Sequence, residues 1–304
     1  MNLFGRPLSS RLESVLLPVI FGSTVVLAKL ALADLGPLTL TTLRFLLAAL
    51  VLLPFALHRG AIWEWSRHLW LRLVVMGICF YVIGNGSLFL GLRFIPATTA
   101  ALLLSLTPLV VLILGVLWLR EVPTALQLGA VAICIGGSLL FFAQGVQAGQ
   151  PLGIVIVALG LLGSAAFTIM GRELAQRREV DTASLTAIPL AVGALVLLPI
   201  TLIAEGLPRF SIQGLGLAVV LALLNTVGAL LLYNHLLRTL TALELTTLLN
   251  VNPLVTAVLA WLVLGNRLSI LQILAMVVVL ASVFTVQVGG IERDTARNKA
   301  SGET

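Results

Sequence analysis

Apolar residues in this chain gather into ten runs, at 14–35, 38–57, 69–92, 97–119, 125–143, 151–171, 183–204, 214–236, 241–264 and 269–288. Each is about 20 residues long, the length a helix needs to cross a bilayer. Short polar connections separate them. Within the runs polarity does not alternate, so they do not read as the strands of a membrane barrel, which would be about 10 residues of alternating character. Backbone groups in lipid must be satisfied within the segment, and helices do this. The pattern therefore predicts an all-α membrane protein with ten transmembrane helices.

The pattern also repeats. The stretch 92–127 returns at 237–272, displaced by 145 positions, with Pro108 falling on Pro253 and Gln127 on Gln272. Further upstream, 49–54 (ALVLLP) recurs unchanged at 194–199, at the same offset. A constant offset through separate blocks, with prolines in register, marks a duplicated unit. The chain divides into a first five-helix repeat at 1–145 and a second at 146–290. A polar tail at 291–304 is expected to be disordered and cytoplasmic.

Composition agrees with a lipid solvent. The chain is 60% apolar and 10% charged, against about 45–50% and 25% in soluble domains. Arg6, Arg11 and the Ala31-Leu32-Ala33 triplet give the first run some look of a signal peptide. Its length, the interruption by Lys29 and the loss of the repeat that cleavage would cause speak for retention.

Charge then orients the spans. With the N-terminus in the cytoplasm, thirteen basic residues lie at cytoplasmic ends and loops: Arg6, Arg11, Arg59, Arg67, Arg72, Arg120, Arg172, Arg177, Arg178, Arg238, Arg293, Arg297 and Lys299. Only Arg93, Arg209 and Arg267 lie outside. This bias places both termini inside. Five spans per repeat is an odd number, so the second repeat must enter the membrane inverted. The loops agree. The connection after span one carries no Lys or Arg, while its counterpart after span six carries Arg172, Arg177 and Arg178. Inverted repeats place a substrate site near the midplane between them, which is the architecture of secondary transporters. The net charge of +6 is accounted for by loops facing anionic lipid, with no nucleic-acid partner.

The duplicated five-span unit, Gly22-Ser23, Leu43-Arg44-Phe45, Leu106-Thr107-Pro108 and Val251-Asn252-Pro253 resemble the EamA-type transporters of the drug/metabolite transporter superfamily. The chain has Phe21 where that family often has Trp, and Arg120-Glu121 and Gly265-Asn266 where it often has Gly-Glu. The resemblance implies a multi-pass carrier of the inner (cytoplasmic) membrane that exports amino acids or related metabolites. The alternatives are an uptake carrier for another metabolite class and a non-transporting membrane sensor or assembly subunit.

Polar residues inside spans are costly and carry the candidate chemistry. Lys29 and Arg44 could hold a substrate carboxylate; the opposing reading is snorkelling to outer headgroups, or pairing with Asp34. The offset pairs Thr99 with Glu244, Ser105 with Asn250 and Thr107 with Asn252. Beside them Pro108 and Pro253 remove backbone donors and mark helix breaks. Asn250 and Asn252 read equally as substrate ligands or as interhelical hydrogen bonds. Tyr81 and Asn85, four apart on span three, and Asn225 on span eight complete the candidate wall. Tyr233, His235, Trp63, Trp65, Trp70, Trp118 and Trp261 read as interfacial. Glu244, the one carboxylate placed inside a span, is the candidate proton-coupling group; the opposing reading is an exposed carboxylate at a helix start. Small residues such as Gly129, Gly136 and Gly137 make spans five and ten scaffold, or a homodimer contact.

Enzyme readings find no support: HExxH, G-x-S-x-G and P-loop patterns are absent. His58, His68 and His235 do not form a metal cluster, and Cys79 and Cys134 lie within spans. No metal and no cofactor is expected; the partners are a small-molecule substrate and the bilayer.

Overall fold

A computed structural model describes residues 8–32, 34–59, 65–143, 150–207, 211–264 and 269–301. Arg6, Ala33, Trp63, Arg209, Gly265, Asn266 and Arg267 lie outside them. Among the described residues, ten helices are long and apolar enough to cross a membrane. They are span one (Leu12–Ala31), two (Pro37–His58), three (Arg67–Leu88), four (Thr99–Leu119), five (Ala125–Phe142), six (Pro151–Arg177), seven (Thr182–Glu205), eight (Ile212–Leu236), nine (Ala242–Val263) and ten (Ile270–Gly289).

Local chemistry starts these helices where they start. Spans five and ten open with the same capping box at repeat-equivalent positions. Gln127 N donates to Thr124 Oγ1 and Thr124 N to Gln127 Oε1; Gln272 and Ser269 do the same. Asp181 caps span seven, accepting from the backbone of Ala183 and Ser184. Span two is capped from outside its own repeat. Glu205, at the end of span seven, accepts from the backbone N–H groups of Leu38 and Thr39 at 2.9 and 2.8 Å.

The most extensive contacts between spans come in pairs related by exchange of the two repeats. Span two packs on seven and span five on ten; span one meets eight and nine, and span six correspondingly meets three and four. Close approach depends on particular glycines. A Cβ on Gly22 would stand 2.6 Å from Val255 Cβ, so span one could not reach span nine. A Cβ on Gly193 would stand 2.2 Å from Tyr81 Cβ, blocking the contact of spans seven and three. Gly137 in span five is likewise pressed on Val279 of span ten; this part of the small-residue surface packs within the chain.

Two features depart from the sequence expectation. The helix of span ten runs on from Ile270 to Ser301, so most of the tail expected to be disordered is helical. Its Glu, Arg, Ala and Lys residues are good helix formers and no proline interrupts them. Spans three and eight each contain a wide π-helical stretch, Ile78–Gly84 and Leu221–Gly228, at nearly equivalent places. Such turns shift the side chains beyond them around the helix axis.

Candidate functional site

Spans four and nine are each interrupted at the position their prolines dictate. Span four comprises Ala97–Ser105 and Thr107–Leu114; span nine comprises Ala242–Leu249 and Asn252–Leu264. Pro108 has no N–H to give Leu104 O, and the Thr107 hydroxyl takes that carbonyl instead. Leu109 N then bonds Leu106 O at 3.0 Å, a tighter turn than an α-helix makes. Ser105 O, left without its helical donor, accepts from Asn250 Nδ2 at 3.0 Å. Ser105 and Asn250 are 145 positions apart, so each is the other's repeat mate. The contact therefore joins equivalent positions of the two repeats.

Beside this junction is a cavity of about 360 Å³, within the usual range for small-molecule sites. Its walls come from both repeats: Phe21 of span one, Phe80 of three, Ala101, Leu104, Ser105 and Thr107 of four. Ser164, Phe167 and Thr168 of span six, Leu230 and Tyr233 of eight, and Thr246, Leu249, Asn250, Asn252 and Pro253 of nine complete them. Phe167 stacks on Phe80 at 4.6 Å and on Tyr233 at 5.9 Å between ring centres. The Tyr233 and Thr168 hydroxyls are hydrogen-bonded at 2.7 Å. Among the described residues, none that lines the cavity bears an acidic or basic side chain. Asn252 Oδ1 is buried without a hydrogen-bond partner among the described residues.

The structure divides the sequence candidates. Asn250 and Asn252 line the cavity, but the Asn250 amide nitrogen is engaged by Ser105 O and Cys134 Sγ. Tyr81 does not line it: at 1% exposure it is packed among Phe45, Phe80 and Phe167. Asn85 turns inward on its own helix and donates to Phe80 O at 2.9 Å, a carbonyl within the π-helical stretch. That stretch is why the two residues, four apart, do not form one wall. Asn225 donates to Ser23 Oγ at 2.9 Å and Thr24 Oγ1 at 3.1 Å, tying span eight to span one. Arg44 lies over the Phe45 ring, 4.8 Å from its centre, with Nε buried and without a hydrogen-bond partner among the described residues, and it does not line the cavity. Lys29 is exposed, and Asp34 accepts from Ser211 Oγ.

Glu244 is fully buried where the opposing sequence reading had it exposed. Its carboxylate accepts from Thr241 N at 3.1 Å, as half of a capping box, and from Gln127 Nε2 at 3.2 Å. It does not line the cavity. Sequence reasoning missed the ring-bearing walls and took Tyr233 for an interfacial residue. One signal was available: Ser164 and Thr168 are four apart and face the same side of span six, and Thr168 is the repeat mate of Ser23.

One end of the bundle is cross-linked between repeats. Arg172 donates through Nε to Glu121 Oε1 at 2.9 Å and through Nη1 to Leu237 O. Glu173 takes Arg72 at 3.1 Å, Arg177 at 2.9 Å and Trp118 Nε1 at 3.1 Å. The repeat mates of Arg72, Arg172 and Glu173 are Leu217, Leu27 and Ala28, so these ion pairs have no equivalent at the other end.

A duplicated ten-span helical bundle, with a polar-aromatic cavity beside two broken helices at the junction of its halves, is the architecture of a membrane carrier. The sequence profile of the EamA-like transporter family matches twice, over residues 13–143 and 151–287. The chain belongs to that family, within the drug/metabolite transporter superfamily. It is similar to the inner membrane transporter YedA of Escherichia coli K12, 26% identical over 273 residues, which cover 89% of this chain and 88% of that one. The S-adenosylmethionine/S-adenosylhomocysteine transporter of Chlamydia muridarum is 23% identical over 265 residues, 81% of each chain. A crystal structure superposes with a TM-score of 0.79 at 15% identity, covering 91% of this chain and 96% of that one, and shares the fold.

Proposed function

We propose that this protein is a secondary transporter of the cytoplasmic membrane that exports amino acids or related small metabolites by alternating access between inverted halves. The observation that carries the reading is the cavity walled by the broken spans of both repeats. The names of YedA and of the chlamydial carrier support a membrane transport role. Both termini are placed in the cytoplasm by the basic bias of the loops, and the ion-paired end is then the cytoplasmic one. Reconstitution into liposomes with a panel of radiolabelled metabolites tests the function: accumulation or exchange of an amino acid or close relative is expected, and a protein that moves none refutes it.

Two further outcomes are expected under this reading. Single cysteines at Gly149 and Gln176 should label from opposite sides of the membrane, Gly149 from outside and Gln176 from inside. Labelling from one side would refute the inverted arrangement. Proton coupling through Glu244 is tested with Glu244→Gln, which keeps a capping side chain and removes the titratable group. With an imposed pH gradient, the variant should retain downhill exchange and lose gradient-driven accumulation. A variant that concentrates substrate like the parent excludes Glu244 as the coupling group.

A further inference from the structure

Spans two and seven occupy equivalent places in the two repeats, and each begins with a carboxylate on its backbone N–H groups. At the start of span seven, Asp181 Oδ1 accepts from Ala183 N at 2.9 Å and Ser184 N at 3.1 Å. Its other oxygen accepts from the Ser184 hydroxyl at 2.6 Å. The repeat mates of Ala183 and Ser184 are Leu38 and Thr39, at the start of span two. Their N–H groups donate to Glu205 at 2.9 and 2.8 Å, and the Thr39 hydroxyl donates to it at 2.7 Å. The three donors are equivalent, but the acceptor is not. Asp181 immediately precedes the helix it caps, whereas Glu205 is the last residue of span seven, in the other repeat.

Gly36 explains the exchange. It is the repeat mate of Asp181, so span two lacks the local cap that span seven has. A Cβ on Gly36 would stand 2.1 Å from Glu205 Oε2. The absence of a side chain therefore both removes the local cap and admits the carboxylate of the other repeat. Gly36 does not take the left-handed backbone conformation, so its backbone accepts an aspartate without strain.

The consequence is a tie between repeats at the end opposite the Arg172–Glu121 pair. The start of span two is capped only while the end of span seven stays beside it. Three residues along span two, the Thr42 hydroxyl is bonded to that of Thr201 on span seven at 2.6 Å, both residues being buried. The repeat mates of Glu205, Thr42 and Thr201 are Gly60, Ala187 and Ala56, so this set of contacts has no equivalent at the ion-paired end. The two ends also differ in how readily they part. Arg172 and Glu121 are largely shielded from water, and separating them strands charges. Glu205 is exposed, so water can solvate its carboxylate as the spans separate.

We propose that the Glu205 carboxylate is a releasable latch that joins span seven to span two, and that the bundle opens at this end by letting it go. The proposal rests on the alternating-access reading. The test separates a latch from a mere helix cap. A cysteine at Thr201, with Cys79 and Cys134 replaced by alanine, reports opening through its rate of reaction with a thiol reagent in the purified protein. Glu205→Ala should lower the melting temperature and raise the labelling rate about tenfold, the shift expected when a charged cap made in one state is lost. Gly36→Asp should expel Glu205 and cap span two locally, as Asp181 caps span seven. It should therefore keep the parent's melting temperature and still label about tenfold faster than the parent. If that variant folds poorly, Gly36→Asp combined with Glu205→Ala removes the collision and should show the same pair of results. The proposal is overturned if Glu205→Ala labels at the parent's rate. It is also overturned if the locally capped variant recovers both melting temperature and slow labelling, which would make Glu205 a cap and nothing more. Labelling needs no solute, so a protein that behaves as expected here but moves nothing in liposomes refutes the transport reading and leaves the latch standing.

Discussion

Replacing Arg172 with alanine is expected to destabilise the protein by about 3 kcal/mol, the usual cost of leaving one partner of a buried pair unpaired. The Arg172 and Glu121 side chains are 8% and 14% exposed, so water does little to screen them. The substitution also removes the donor to Leu237 O, where the end of span six holds the end of span eight. Glu121→Gln in the same background should recover part of the loss, because it removes the stranded charge. The pair joins the span four–five connection of one repeat to span six of the other, so its loss should also loosen this end of the bundle, the cytoplasmic one under the proposed orientation. The check is a cysteine at Thr168, on the cavity wall. Its labelling from the cytoplasmic side should rise in the Arg172 variant. A fall in melting temperature with unchanged labelling would make the network a packing device and not a gate.

Alanine at Asn250 and at Asn252 should give opposite results, although the two residues are only two positions apart. Asn250→Ala leaves Ser105 O, whose helical donor Leu109 N is bonded to Leu106 O, without a donor. That group lies in the centre of the bundle, and its loss of a partner should cost about 1–3 kcal/mol. Melting temperature should fall while transport per folded molecule stays near the parent's. Asn252→Ala removes an amide oxygen that has no partner, so stability should hold or rise while transport drops severalfold or more. If Asn250→Ala instead keeps its stability and loses transport, the carboxamide of Asn250 contacts the solute and the tie to Ser105 is incidental.

The contrast between these two asparagines shows what could be read from residues alone. Their polarity inside an apolar run, their place beside Pro253 and their pairing with Ser105 and Thr107 are all visible in the chain. Which one is hydrogen-bonded across the repeats is not, because that depends on a carbonyl 145 positions away. Tyr81 and Asn85 make the same point. Spacing of four implies a shared face only on a regular α-helix, and the π-helical stretch at Ile78–Gly84 changes that register. Nothing in the local composition announces such a stretch.

What the sequence by itself determined is the solvent, the number of spans, the duplication and the places where spans four and nine break. Each of these follows from a quantity local to a segment: apolar length, a missing proline N–H, a repeated offset. What only the tertiary structure decided is which faces turn inward. In a soluble helix an apolar stripe identifies the buried side, but a span surrounded by lipid is apolar on every side, so hydropathy is silent about rotation. The stacked wall of Phe80, Phe167 and Tyr233, the exclusion of Arg44 from the cavity lining and the tie from Glu244 to Gln127 were therefore settled by packing between helices, where each finds the neighbour that satisfies its few polar groups.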